Sequence, residues 1–593
     1  MSQYININSE LDALKIKGIE KDFYKNIKKD ANVVPKVTPF KGINTDLLYI
    51  EDSKILFIKF MDTTEDLFFI LEEELLEVMS EEYELLKLKM NQNNRHIKYN
   101  YIFVMPYVEI DSNYKFEKFI NNHIVDKNKL EEIMKDKNVL NEYLHESNNE
   151  IELNLFMLQV CPEYYLLNDK LHLSKEFKKI SFSDDEYKYT ATNLDKSQIE
   201  EAISIKYGNT LFEGGSGSGK TTIMLSRAIK LARVYPHHKF LIIAYTKQLC
   251  TQLREKIDLL YPENNNLEVH TFSSFLFKLA KKYSLIVDYT LIKKDYEKAS
   301  TNLIKQAKNI IKNKHMFKGI FIDESESFSS EELNFTREFL YKSKYIFNVF
   351  SCESMNIYNH LNIFKDTYSD IDFDEKVLLT KNYRQTKELC EFTNQFCKNT
   401  NNYIKELRPK LDNSVFLETK NVKEKVNSVN IMKVSDLDEQ IKSIIWELEY
   451  IVNEKGLDYS DVSIVYPYNK KRLKSGKTIY FQYMLKKALD EANIPYIYAE
   501  DNLTNISKKT GVTISNIFNI KNLEYRAVIL CELEMLYNQS INDIEQDYQI
   551  NDFVGDLNKV YLALTRATDY MSIITTFNEE SSDIIRLIMK CKK

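Results

Sequence analysis

Glycine is scarce in this chain, at 12 of 593 residues, yet four of the twelve (Gly214, Gly215, Gly217 and Gly219) fall within six positions. Glycine supplies backbone dihedrals and close approaches that other residues resist. A cluster in so glycine-poor a sequence marks a place where the backbone itself meets a ligand. Cysteine is sparse too: seven, at 161, 250, 352, 390, 397, 531 and 591, with no C-x-x-C pair and an odd total. That pattern argues against a zinc site and a disulfide framework, and for a reducing compartment. Long apolar runs are missing: none reaches the roughly 18 residues a membrane span needs. The opening MSQYININSE is polar, so neither a secretory leader nor a membrane anchor is expected, and a cytoplasmic location is. Arginine is the last scarcity, at 11 of the 81 basic residues. An arginine at a phosphate-reading position therefore stands out, because composition alone would have supplied lysine.

What is present describes a globular chain, with 44% apolar and 28% charged residues. Its length exceeds one hydrophobic core, so two to four domains are expected. Charge is divided unevenly. Residues 1–190 carry 25 Lys+Arg against 35 Asp+Glu, a net of −10, which leaves +3 of the overall −7 for residues 191–593. The acidic first third is thus a poor non-specific nucleic-acid surface; a protein partner is one contact it could make, and the sequence does not name what it binds. Within it, DLLYIEDSKILFIKF (46–60) reads as two strands joined at Asp52-Ser53, residues 71–90 as a helix, and NYIFVMPYVEI (100–110) as a buried strand. From about 191, short apolar strands alternate with amphipathic helices, the pattern of parallel sheets built from βαβ units. The stretch SFSDDEYKYTATNLDKSQ between them reads as a polar boundary and nothing more.

Residues 214–221, GGSGSGKT, match G-x-x-x-x-G-K-[ST] in full. A short strand (210–212) precedes the match, and TTIMLSRAIKLARVY follows as an amphipathic helix with Met224, Leu225, Ala228, Leu231 and Ala232 toward the sheet. The loop Gly214, Gly215, Ser216, Gly217, Ser218 and Gly219, with Lys220, Thr221 and Thr222 opening the helix, is expected to bind ATP. Backbone N–H groups turn inward around the phosphates, and the helix N-terminus adds its positive end. Lys220 neutralises terminal phosphate charge, and Thr221 is a ligand for Mg²⁺. The acidic partner is KGIFIDESES (318–327). Asp323 is expected at the end of a neighbouring strand to hold Mg²⁺, and Glu324 to orient and deprotonate the attacking water.

These pieces resemble the UvrD/Rep-type superfamily-1 helicases over roughly 191–593. Gln198 matches the glutamine that reads the adenine edge. LIIAYTKQLCTQLREKI (241–257) is similar to a motif whose aromatic residue, here Tyr245, contacts a base, and VHTFSSF (269–275) to one that points Thr271 at a phosphate. In LTKNYRQT (379–386) the resemblance has Tyr383 stack on adenine and Arg384 reach the γ-phosphate. NIKNLEYRAVIL (519–530) places Glu524 for the ribose, with Asn516 just ahead on the nucleic-acid side. VYLALTRA (560–567) makes Arg566 a second arginine finger. The fold class implied is α/β: two RecA-like parallel-sheet P-loop domains, 191–375 and 376–593, preceded by an α/β or α+β N-terminal domain over 1–190. Two arginines on the second domain complete the ATP site only when the domains close, which couples hydrolysis to movement.

Departures from the family pattern cluster in the coupling groups. Glu326 and Ser327 end the acidic motif where the family commonly has Gln-Asp. In SCESMNIY (351–358), Cys352 replaces an aspartate and Met355 the glutamine that senses the γ-phosphate. The stacking tryptophan after it is absent, the only tryptophan being Trp446. Phe518 takes a histidine position and Asn522 a glycine position. Only 45 residues separate Phe275 from Phe321, and 127 separate Arg384 from Val512, so large inserted subdomains do not fit and a bare two-domain motor is expected.

TDLLYIEDSKILFIKF (45–60) has the outline of a PD-(D/E)xK nuclease core and is similar to the nuclease-related NERD domains fused to some of these helicases. Asp46 and Lys59 match, Phe57 occupies the glutamate position, and Glu51 or Asp62 could supply the missing acid. Without it metal-assisted cleavage loses its main lever, so an inactive nuclease-like fold or an unrelated interaction domain is favoured. Three functions remain open. They are an ATP-driven motor on single-stranded nucleic acid, DNA rather than RNA and 3′ to 5′ by resemblance, a regulatory ATPase that does not unwind, and a nuclease–motor fusion.

Overall fold

The computed structural model describes residues 18–27, 32–40, 43–93, 96–110, 115–149, 153, 156–157, 160–161, 165–169, 180–181, 189–193, 198, 201–202, 204–311, 314–357, 368, 370–409, 415–423, 429–468, 471–472, 478–479, 481–499, 511–521, 523–541 and 547–591. Asn522 lies outside them.

The N-terminal unit is a five-stranded mixed sheet in the order Asn32–Pro35, Leu47–Glu51, Lys54–Phe60, Tyr99–Val104, Ile124–Val125. The first three strands are antiparallel and the last two parallel. Asp52 and Ser53 join two of them with φ of 48° and 62°, the left-handed pair a two-residue hairpin demands. Helix Gly18–Ile27 packs Phe23, Tyr24 and Ile27 on one face of the sheet. Helix Glu72–Asn93 covers the other through Leu76, Met79 and Leu86. The expected polar boundary carries structure of its own: Tyr165–Asp169, Ile180–Ser181 and Tyr189–Asn193 form a small antiparallel sheet.

The first parallel sheet runs Leu267–His270, Phe240–Ile243, Gly319–Ile322, Ile346–Ser351, Gly208–Gly214, Glu375–Leu379. FLII (240–243) and GIFI (319–322) are apolar throughout and fully buried, as strands covered on both faces must be. Its last strand pairs Glu375–Leu379 with Thr210–Gly214, so the sheet extends four residues past the expected boundary at 375. The second sheet, also all parallel, runs Val429–Lys433, Ala567–Thr575, Tyr525–Leu530, Val462–Tyr466, Val512–Asn516, Tyr496–Tyr498. Among the described residues, no helix is long and apolar enough to cross a membrane.

One helix departs from its sequence pattern. Lys220–Val234 reads as amphipathic, yet Arg227, Lys230 and Arg233 are buried along with its apolar face. For Lys230 and Arg233 the reason is that the N-terminal unit packs on the helix's outer side, within one continuous apolar cluster, whereas Arg227 turns toward its own sheet, over the Phe212 ring. Main-chain carbonyls satisfy the charges: Lys230 Nζ donates to Lys36 O at 2.5 Å, and Arg233 Nη1 to Val160 O at 3.3 Å. Arg227 donates to Ser204 O at 2.9 Å and to Asn348 Oδ1 at 3.0 Å. Burial pulls the Arg227 guanidinium down to about 10.

Candidate active site

The phosphate loop leaves strand Gly208–Gly214 and enters helix Lys220–Val234 through Gly219, with φ of 87°. Gly217 has φ of 78°. Conformation is only half of the requirement. A Cβ on Gly219 would lie 2.3 Å from Gln198 Nε2, one on Gly217 2.8 Å from Arg384 Cβ, and one on Gly215 2.5 Å from Thr419 Cγ2. The loop is therefore tight on two sides, with residues of the second sheet's unit against it.

Within the loop, Lys220 Nζ donates to Gly214 O at 2.8 Å and Gly215 O at 2.9 Å. Thr221 Oγ1 donates to Asp323 Oδ2 at 2.7 Å, bringing the two expected Mg²⁺ ligands together. Ser218 is buried and Thr222 half-buried in the first turn of the helix. Asp323 follows strand Gly319–Ile322, but that strand does not adjoin the loop strand: Ile346–Ser351 lies between them. The long turn of the loop carries Thr221 across the intervening strand, so adjacency is not needed. Asp323 accepts a further bond from Glu324 N at 3.0 Å, and burial raises its carboxyl above the usual range. Glu324 sits at φ 53°, a left-handed position that costs a non-glycine residue about 1–2 kcal/mol. Its Oε2 is buried without a hydrogen-bond partner among the described residues. Burial pushes Glu324 up to about 7, with Glu326 and Asp323 adding to the rise and Lys521 and Arg566 opposing it.

Both expected arginine fingers reach this loop. Arg384 Nη1 donates to Ser216 Oγ at 2.6 Å, and Arg566 Nη2 donates to the same oxygen at 2.7 Å. Tyr561 completes the contact by accepting from Ser216 N at 3.0 Å. The other arm of Arg384 is ion-paired with Glu524, the residue expected at a ribose. Arg566 is buried and held by Leu562 O at 3.2 Å, Thr565 Oγ1 at 3.1 Å and Lys521 O. Burial and the neighbouring Arg384 charge pull its guanidinium down to about 9. Tyr383 donates its N–H to Gly217 O at 2.9 Å, and its ring lies 3.9 Å from the Cβ position of Gly219, close to Gln198. Gln198 and Tyr383, both expected at adenine, thus flank the same glycine.

The expected nucleic-acid residues divide. Tyr245 is half-buried beyond strand Phe240–Ile243, edge-on to Phe328 at 5.6 Å. Thr271 caps helix Phe272–Tyr283, its hydroxyl oxygen accepting from Ser274 N at 3.1 Å. Asn516 is buried and uses its carboxamide oxygen in a turn, accepting from Asn519 N at 2.9 Å. These two side chains build local structure, the competing use to which short polar residues are put at element ends. Of the departures, Met355 places its sulfur 4.0 Å from Arg566 Nη2, and Cys352 offers its backbone N–H to Glu326 Oε2 at 3.1 Å. Trp446 is exposed and stacked on Tyr450 on helix Leu437–Asn453.

Sequence reasoning missed Tyr561 and Lys521. Lys521 Nζ lies 3.4 Å from Glu326 Oε1 and donates to Ser327 Oγ at 2.8 Å, and the pair is buried. A lone lysine inside IFNIKNLEY was the available signal: a charge among apolar residues must find a partner.

The N-terminal residues do not assemble a metal site. Asp46 pairs with Lys36 at 2.5 Å and accepts from Phe60 N at 2.7 Å, whereas Lys59 pairs with Glu82 at 2.5 Å. Phe57 is fully buried in the core. Glu51 pairs with Lys137 at 3.4 Å, and Asp62 is exposed. Among the described residues, no group of three His, Cys, Asp or Glu could hold a metal.

Two parallel α/β sheets meeting at a phosphate loop, with arginines of one unit on the loop of the other, define a RecA-like P-loop architecture. Residues 194–489 match the family model of the UvrD/REP helicase N-terminal domain. The match supports a UvrD-type helicase, a class that hydrolyses ATP with Mg²⁺ and binds nucleic acid. No curated protein matches the chain.

Proposed function

We propose that this chain is an ATP-dependent helicase or translocase on single-stranded nucleic acid, DNA in preference to RNA, with the 3′ to 5′ polarity that the resemblance implies. The observation that carries it is the convergence of Arg384 and Arg566 on Ser216 Oγ. Two second-unit cations at a first-unit phosphate loop make the phosphate site a product of closure, which is what a motor requires. In this reading residues 191–375 and 376–593 are the two motor domains and 1–190 is an inactive nuclease-like or interaction unit. All seven cysteines are buried free thiols, which supports a reducing, cytoplasmic setting.

The residues present fit ATP and Mg²⁺: Thr221 and Asp323 are already in contact, glycines line the loop, and a Glu324 oxygen without a partner among the described residues lies beside them. Bound Mg²⁺ would neutralise charge on the phosphates. Lys220 and the loop N–H groups bind the phosphates, Gln198 and Tyr383 hold the base, and Glu524 keeps Arg384 aimed. Glu324 takes the proton from water, and Arg384 and Arg566 offset charge developing on the γ-phosphoryl oxygens.

A carboxyl at about 7 is a working base only when ionised. Turnover is therefore expected to rise with pH through about 7 and to fall nearly tenfold per unit below it. Steady-state rates from about pH 5.5 to about pH 8.5 check this, and a profile flat through neutrality would count against Glu324 as the base.

A second reading, a regulatory ATPase without unwinding, is favoured by Cys352 and Met355, which lack the polar side chains the family uses for coupling. ATP turnover with and without single-stranded DNA and RNA tests the proposal. Strong stimulation by DNA is expected. A rate indifferent to both polymers would overturn the motor and leave a partner-regulated ATPase.

A further inference from the structure

We infer that Lys521 and Glu326 are positioning residues that couple nucleic-acid engagement at Tyr245 to the seating of Arg566 on the phosphate loop. The inference rests on the motor reading, in which Tyr245 meets a base. Glu326 belongs to the first unit, three residues after Asp323. Lys521 belongs to the second, between strands Val512–Asn516 and Tyr525–Leu530. Their side chains are 4% and 2% exposed, so the charge pair exists only while the two units are together. Separating them would leave each ion in search of water, and in a weakly screened interior the attraction acts over the closing distance itself.

Lys521 also touches both ends of the machine. Its ammonium stands 5.8 Å from the centre of the Tyr245 ring and donates to Ser327. Its main-chain oxygen accepts from Arg566 Nη1, while Nη2 of that arginine is on Ser216. A base stacked on Tyr245 changes the field and the space around the ammonium. Any shift of Lys521 is then felt on one side by the acidic segment and on the other by the arginine. On the first unit, Glu326 is fixed by the Cys352 N–H at 3.1 Å. Main chain and a carboxylate thus occupy the region where Met355 and Cys352 have lost the coupling side chains. Glu326 stands at a position where the family commonly has glutamine, and a neutral amide there would not form this ion pair.

The test uses the full chain with Glu326→Gln, Lys521→Met, Lys521→Arg and the reversed pair Glu326→Lys with Lys521→Glu. Three quantities are read: kcat and KM for ATP without and with saturating single-stranded DNA, oligonucleotide affinity by fluorescence anisotropy, and thermal unfolding. Glu326→Gln and Lys521→Met are expected to lower the ratio of stimulated to basal kcat by about tenfold, within the usual range of coupling between sites. Oligonucleotide affinity should change far less, and Lys521→Arg should keep most of the stimulation. A purely structural role would lower stability and leave the ratio alone. A stimulated wild type with an unaltered ratio in Glu326→Gln and Lys521→Met overturns the inference by itself. An unstimulated wild type overturns the motor reading and the inference together. If Lys521→Met does not fold, Glu326→Gln, which keeps the shape of the side chain, and the reversed pair decide the matter.

Discussion

Lys220→Ala is expected to lower ATP turnover by about 10²–10³-fold or more, the cost of removing a preorganised charge from a transferring phosphoryl group. The fold should survive. Among the described residues, Lys220 Nζ is bonded only to Gly214 O and Gly215 O of its own loop, so no described contact between the units depends on it. Losing those two bonds costs stability of about 1–3 kcal/mol at most. Initial rates beside a thermal melt separate the two effects. Retained turnover in a folded variant would overturn the assignment of the phosphate site.

Arg384→Ala and Arg566→Ala should each reduce kcat by about 10³–10⁵-fold, the range an arginine finger commands. The two should differ in stability. Arg384 keeps 19% of its side chain exposed, and its removal costs the contacts to Glu524 and Ser216. Arg566 is buried, and alanine there removes its bonds to Leu562 O, Thr565 Oγ1 and Lys521 O from the interior, so a lower melting temperature is expected. Arg384→Lys should not restore the rate, because one ammonium cannot reach Ser216 and Glu524 together as a planar fork does. The double alanine variant should be little slower than the slower single one, since both arginines serve one closed arrangement. Additive losses would mean that the two act in separate steps.

Much of this site was legible in the residues because its parts are local. The cluster of glycines, the strand before it and the helix after it follow from dihedral freedom, apolar runs and periodicity, all within 27 residues from Gly208 to Val234. The apolar strand before Asp323 was equally plain. Its position in the sheet was not, because strand order depends on which crossovers pack best, and a neighbouring strand turned out to be the next but one. The outer face of the Lys220–Val234 helix was misread for a related reason. Lys230 and Arg233 look solvated until another unit covers them with carbonyls. Thr271 and Asn516 were assigned to nucleic acid by position in their motifs, and the oxygen of each also accepts a local backbone bond.

The amino-acid sequence by itself determined that a phosphate loop, its acidic partner and two uncommon arginines exist, because each is set by short-range chemistry. Only the tertiary structure decided that they meet. Ser216 receives Arg384 from 168 residues away and Arg566 from 350 residues away. It also decided that Lys521 meets Glu326 across the units, since a buried ion finds its partner in three dimensions and leaves no spacing rule along the chain.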